Sequence, residues 1–120
     1  MNRAKSLYVS SKQALITALE IKHTATSSKT ILRELYEALR EICEALGYER
    51  GFKFTSHESI THFLKDFLNE RSISTKFNRY RILRNQINYY GKNIDFETIE
   101  KARKEIPFLI KHLENHLSLI

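Results

Sequence analysis

An all-α fold, an antiparallel up-down bundle of four long helices with one shorter helix inserted, is predicted by three features of the sequence. Apolar residues recur three and four apart along nearly the whole chain, the period of a helix buried on one face. Three glycines and one proline in 120 residues leave little turn chemistry for an all-β protein. With 42% apolar and 28% charged side chains the chain reads as globular, and its length suits one domain, residues 1–120, built on one core.

The first helix is expected from about Asn2 to Thr24, with Ala4, Leu7, Tyr8, Ala14, Leu15, Ala18 and Ile21 on one stripe. A hydroxyl-rich cluster, Thr24 to Ser28, breaks that pattern and offers N-capping side chains. The second helix carries Ile31, Leu35, Leu39, Ile42, Cys43 and Leu46 and is predicted to stop at Gly47 as a left-handed cap. Tyr48 to Phe54 is an aromatic connector folded back onto the bundle. Thr55-Ser56-His57-Glu58 has capping-box spacing and opens a third helix bearing Ile60, Phe63, Leu64, Phe67 and Leu68. After a break from Asn69, the fourth helix is expected from about Ser74 to Tyr90, ended by Gly91. Asp95 caps the fifth, with Ile94 and Ile99 placed as a hydrophobic staple. Its stripe runs through Ile99, Ala102, Ile106, Ile110, Leu113, Leu117 and Ile120. Pro107 costs one hydrogen bond without breaking the periodicity, which predicts one kinked helix rather than two.

The chain carries no apolar run near the roughly 20 residues of a membrane-spanning helix, and its amino-terminal segment lacks the pattern of a signal peptide. A lone Cys43 on an apolar stripe forms no internal disulfide, so a cytoplasmic setting without membrane association is expected. The formal charge is +6, and between Arg71 and Ile94 there are six basic residues (Arg71, Lys76, Arg79, Arg81, Arg84, Lys92) and no acidic one. Basic and acidic residues balance elsewhere, so the whole excess lies in that segment. Such a localised field suits a phosphate backbone. It equally suits a helix neutralised by acidic neighbours such as Glu34, Glu37, Glu41 and Glu44.

Other constellations carry less. His57 and His62 are five apart and lack a third ligand, and His57 beside Glu58 reads as part of a helix start. His112 and His116 have the spacing to share a metal but read as exposed surface on a terminal helix. No metal and no cofactor is expected. Tyr48, Phe52 and Phe54 could stack bases, but read as packing over the open end of the bundle.

The segment Arg84-Asn85-Gln86-Ile87-Asn88-Tyr89-Tyr90-Gly91 stands apart. Arg84 falls four residues after Tyr80 and three before Ile87, and Asn88 four further on, so both polar groups share an apolar face and need polar partners. A salt bridge from Arg84 to a glutamate of the second helix would satisfy it, and so would a bound phosphate.

A basic helix ending in Arg-Asn, then an aromatic pair and glycine, resembles a HEPN domain, the higher-eukaryote and prokaryote nucleotide-binding helical family. The resemblance extends over "ELYEALREICEALGY", "FTSHESITHFLKDF" and "RILRNQINYYGK" and the two flanking helices, and is nearest to small prokaryotic, particularly archaeal, members. It implies an up-down helical bundle that homodimerises and binds RNA or nucleotide. Active members are metal-independent ribonucleases, often toxins paired with a minimal nucleotidyltransferase antitoxin. Their signature is an arginine, a polar residue after it, and a histidine four to six residues further on. Arg84 and Asn85 match, whereas Tyr89 stands where the histidine is expected. Tyrosine, with a pKa of about 10, is a poor base near neutral pH, so ribonuclease activity is expected to be weak or absent. The resemblance implies a site of Arg84, Asn85 and Tyr89, with Lys76, Arg79, Arg81, Arg84 and Tyr90 contacting nucleic acid. The other reading is a non-catalytic dimerisation module in which Arg84 is structural.

Overall fold

The computed structural model describes residues 2–118, and these form five α-helices, a π-helical turn and no strand. The helices are α1 (Arg3–Glu20), α2 (Ser28–Glu49), α3 (His57–His62), α4 (Arg71–Tyr90) and α5 (Phe96–Glu114), with the π turn at Phe63–Phe67. The all-helical prediction holds, and the apolar stripes share one core, with Phe67 and Tyr90 left exposed.

α2 is the central element and packs against α1, α4 and α5. Its Ile31, Leu35, Leu39, Ile42 and Leu46, spaced as the sequence predicts, are fully buried. Ser11 of α1 is buried too, and is satisfied by donating to the Ala38 carbonyl of α2 at 2.7 Å. α1 is tied to α5 by Tyr8, which donates to Glu114, and by the Lys12–Glu114 ion pair at 3.0 Å. Cys43 is fully buried, and burial pushes its thiol well above the usual range, which makes it a core residue and not a nucleophile. No helix among the described residues is long and apolar enough to cross a membrane.

Several predicted ends move. α1 stops at Glu20 rather than Thr24. Ser27 precedes α2 but its hydroxyl does not cap it; it accepts from the Thr24 N–H at 2.8 Å and donates to the Lys22 carbonyl at 2.6 Å, closing the α1–α2 connection on itself. Gly47 does not end α2. The helix passes through it because the Phe54 ring lies on that spot: a Cβ there would sit 2.6 Å from Phe54 Cζ. The left-handed residue is Gly51, at φ +81°, and Phe52 N–H reaches back to the Gly47 carbonyl at 2.9 Å in a Schellman closure.

The capping box at α3 also shifts by one residue, to Ser56 and Ser59 in place of Thr55 and Glu58. At the π turn, Leu68 N–H bonds to the Phe63 carbonyl five residues back. There Phe63 meets Phe52 and Phe54 at ring-centroid distances of 5.0 and 5.2 Å, so the aromatic connector packs on the fold, as expected. Asn69, at φ 57°, turns the chain and α4 begins at Arg71, three residues before the predicted Ser74. Ser74 is instead buried and donates to the Thr61 carbonyl at 2.8 Å, binding α4 to α3.

Gly91, at φ 62°, ends α4 as read from the sequence. Asp95 caps α5 by accepting from Thr98 N–H at 2.8 Å, with Ile99 fully buried beside the partly buried Ile94. α5 continues through Pro107 as a single helix. Ile120 lies outside the described residues.

Candidate nucleic-acid interface

Between the start of α3 and the last turns of α4 is a groove of about 370 Å³, lined by Ser56, His57, Glu58, Arg81, Arg84, Asn85 and Tyr89. Arg84, Asn85 and Tyr89, singled out from the sequence, therefore line one concavity. His57 joins them from a different helix.

Tyr36 of α2 underlies the site. It is 2% exposed, packs against Phe77 of α4, and stacks on the His57 ring at 5.6 Å between centroids. The Arg84 guanidinium lies over the same ring, 5.0 Å from the Tyr36 centroid, with Nη2 3.4 Å from His57 Nδ1. Burial pushes the Tyr36 phenol well above its usual range, outweighing the lowering effect of Arg84, so its hydroxyl keeps its proton and donates to His57 Nδ1. Arg84 can only donate. With two donors facing Nδ1, that nitrogen carries the lone pair, and Nε2 carries the hydrogen.

Burial first, and the positive charges of Arg84 and Arg40 after it, hold the His57 pKa below the usual histidine value. The neutral ring is thereby favoured. In this tautomer the ring carries one N–H, a good donor to a phosphate oxygen, and its basic nitrogen is taken up by Tyr36 and Arg84.

The glutamates of α2 do not take Arg84. Glu37 and Glu44 both hold Arg40, the latter at 2.6 Å, and Glu41 is buried on the side that meets Ser10 of α1. Arg84 Nε is buried without a hydrogen-bond partner. Arg81 bonds only a neutral group, Asn78 Oδ1, at 3.0 and 2.8 Å. Among the described residues, neither Arg81 nor Arg84 has a carboxylate within 4.0 Å. Glu58 lines the same groove, exposed, and forms no ion pair with either arginine.

The rest of the basic segment divides differently. Lys76 and Arg79 pair with Glu105 of α5 at 3.6 and 2.6 Å, and Tyr80 donates to the same carboxylate. One of their two charges is thus offset by a residue far along the chain. Tyr89 is 71% exposed at the groove, and Tyr90, 75% exposed, points outside its lining. Asn88 does not lie in the apolar interface expected for it: it is exposed and accepts from Arg33 Nε at 2.6 Å.

His57 and Tyr36 escaped the sequence reading. They stand 27 and 48 residues before Arg84, and only the packing of α2, α3 and α4 brings the three together. The available signals were faint: a tyrosine on an apolar stripe, whose hydroxyl needs a partner, and a histidine at the first position of a helix. Comparison of the chain with protein families, characterised proteins and solved structures returns no match.

Proposed function

We propose that this chain is a HEPN-like domain that binds RNA or nucleotide phosphates in the groove between α3 and α4. The observation that carries the reading is the pair of guanidinium groups, Arg81 and Arg84, that line one groove without carboxylate partners, beside an imidazole N–H. An arginine fork suits a phosphodiester, and Asn85 and Tyr89 add neutral hydrogen-bonding groups at the same wall. Lys76 and Arg79 supply attraction at longer range, tempered by Glu105, and Tyr90 offers a face for stacking.

Cleavage is weak or absent on this reading. Tyrosine in the histidine's place is a poor base near neutral pH, and the basic nitrogen of His57 is occupied by Tyr36 and Arg84. Transfer of the 2′-hydroxyl proton needs a lone pair there. The wider proposal follows the same resemblance: an antiparallel up-down arrangement of the four long helices, a cytoplasmic homodimer, and a nucleotidyltransferase partner in a toxin–antitoxin pair. Exposed Ile82 on α4 favours that helix as the dimer contact, and a two-fold axis there would set two grooves together. The competing reading, an interaction module with a structural Arg84, draws on the stacking of Arg84 over Tyr36.

Binding of a labelled single-stranded RNA, followed by fluorescence anisotropy against salt, separates the two. Each phosphate contact contributes about 0.7 to the slope of log affinity on log salt for a single strand. Arg81→Ala is expected to reduce the slope by about one contact, whereas Lys76→Ala and Arg79→Ala, already paired with Glu105, are expected to do less. An unchanged slope and affinity in Arg81→Ala would remove the groove from consideration.

A further inference from the structure

His112 and His116 lie one helical turn apart where α5 ends, and both turn Nε2 toward one atom, Glu70 Oε2, at 2.9 and 2.7 Å. Glu70 stands immediately before α4, where a side chain would ordinarily cap the helix, yet its carboxylate makes no capping bond and reaches the two imidazoles instead. The three ligand atoms lie within 4.8 Å of one another and remain open to solvent on one side, His112 being 47% exposed. From this geometry we propose that Glu70, His112 and His116 bind one divalent zinc ion per chain.

Two imidazoles and one carboxylate are a zinc donor set, with Zn–N of about 2.0–2.1 Å, Zn–O of about 2.0–2.2 Å, and water in the fourth position. Tetrahedral bonds of that length separate neighbouring donors by about 3.3 Å, so Glu70 needs to withdraw a few tenths of an ångström from each ring, and the two Nε2 atoms, within 4.8 Å of each other, need to close to that spacing. Each ring frees Nε2 for the metal by taking the Nδ1–H tautomer. The Arg50 guanidinium, which holds the His116 carbonyl at 2.8 Å, pairs with Glu49 at 3.6 Å, which limits its repulsion of a cation.

The segment His112-Leu113-Glu114-Asn115-His116 has the histidine spacing of a zinc-hydrolase helix, but Leu113 stands where that pattern has its glutamate, and Glu114 is engaged by Tyr8 and Lys12 of α1. The site is a clasp between the start of α4 and the end of α5, and it is separate from the RNA groove in its residues and its test.

Calorimetric titration of the tag-free chain with zinc chloride tests it. One saturable ion per chain is expected, with affinity falling at least tenfold in His112→Ala, His116→Ala and Glu70→Gln and unchanged in the exposed control His62→Ala. Cobalt(II) on the unmodified chain is expected to give the intense visible bands of a tetrahedral site, a readout that needs no variant. Absence of saturable zinc binding, or equal affinity in His112→Ala and His62→Ala, would overturn the proposal.

Discussion

Replacing Arg84 by alanine is expected to weaken RNA binding about 30-fold while the helices stay intact. A hydrogen bond to a charged group contributes about 1.5–3 kcal/mol, and each 1.4 kcal/mol is about tenfold in affinity. Arg84 is the group in the groove that combines a guanidinium fork with a fixed position, since it is clamped between the Tyr36 ring and His57. Arg84→Lys keeps the charge but loses the fork and the stacking, and is expected to fall between the two. Fluorescence anisotropy gives the affinities and circular dichroism the fold. Unaltered affinity in Arg84→Ala would make the arginine structural, as the interaction-module reading holds.

The second large effect is on stability. Phe77 is fully buried and packs on Tyr36 at 5.5 Å between ring centroids, so it supports the floor of the groove from within the core. Phe77→Ala is expected to cost about 3–5 kcal/mol through lost burial and the cavity left behind, a large share of the roughly 5–15 kcal/mol typical of a domain. Urea unfolding would register this as a lower midpoint. Phe108→Ala, on the exposed side of α5, is the matched control and is expected to change stability by less than about 0.5 kcal/mol. A Phe77→Ala midpoint equal to that of Phe108→Ala would contradict the assigned core.

Most of the core was legible in the sequence because helical periodicity states directly which residues share a face. Leu35, Leu39 and Ile42 needed nothing more. Helix ends were less legible, since glycine serves two purposes. Gly47 was read as a stop, but Phe54 needs the missing side chain and the conformational freedom is used at Gly51. Hydroxyl clusters are ambiguous in the same way: Ser27 closes a loop and Ser56 caps a helix, and nothing local tells them apart.

The site divides along similar lines. Arg84, Asn85 and Tyr89 lie within six residues and could be seen together. His57 and Tyr36 arrive through tertiary packing, on a helix start and a buried stripe that each had an ordinary structural reading. Counting charge along the chain likewise overstated Lys76 and Arg79, because Glu105 reaches them from another helix.

The central claim is that RNA phosphate docks against His57 and Arg84, and the pH titration of the His57 imidazole, followed by NMR with and without a short RNA, tests it most directly. In the free protein, burial and the neighbouring arginines disfavour the imidazolium, so the midpoint is expected below the ordinary value of about 6.5. The unfolded chain then holds the extra proton first, so stability is expected to decline as pH falls below about 6.5. A phosphate in the groove favours the imidazolium, and saturating RNA is expected to raise the midpoint. A midpoint that stays in place while RNA saturates the protein would contradict the account.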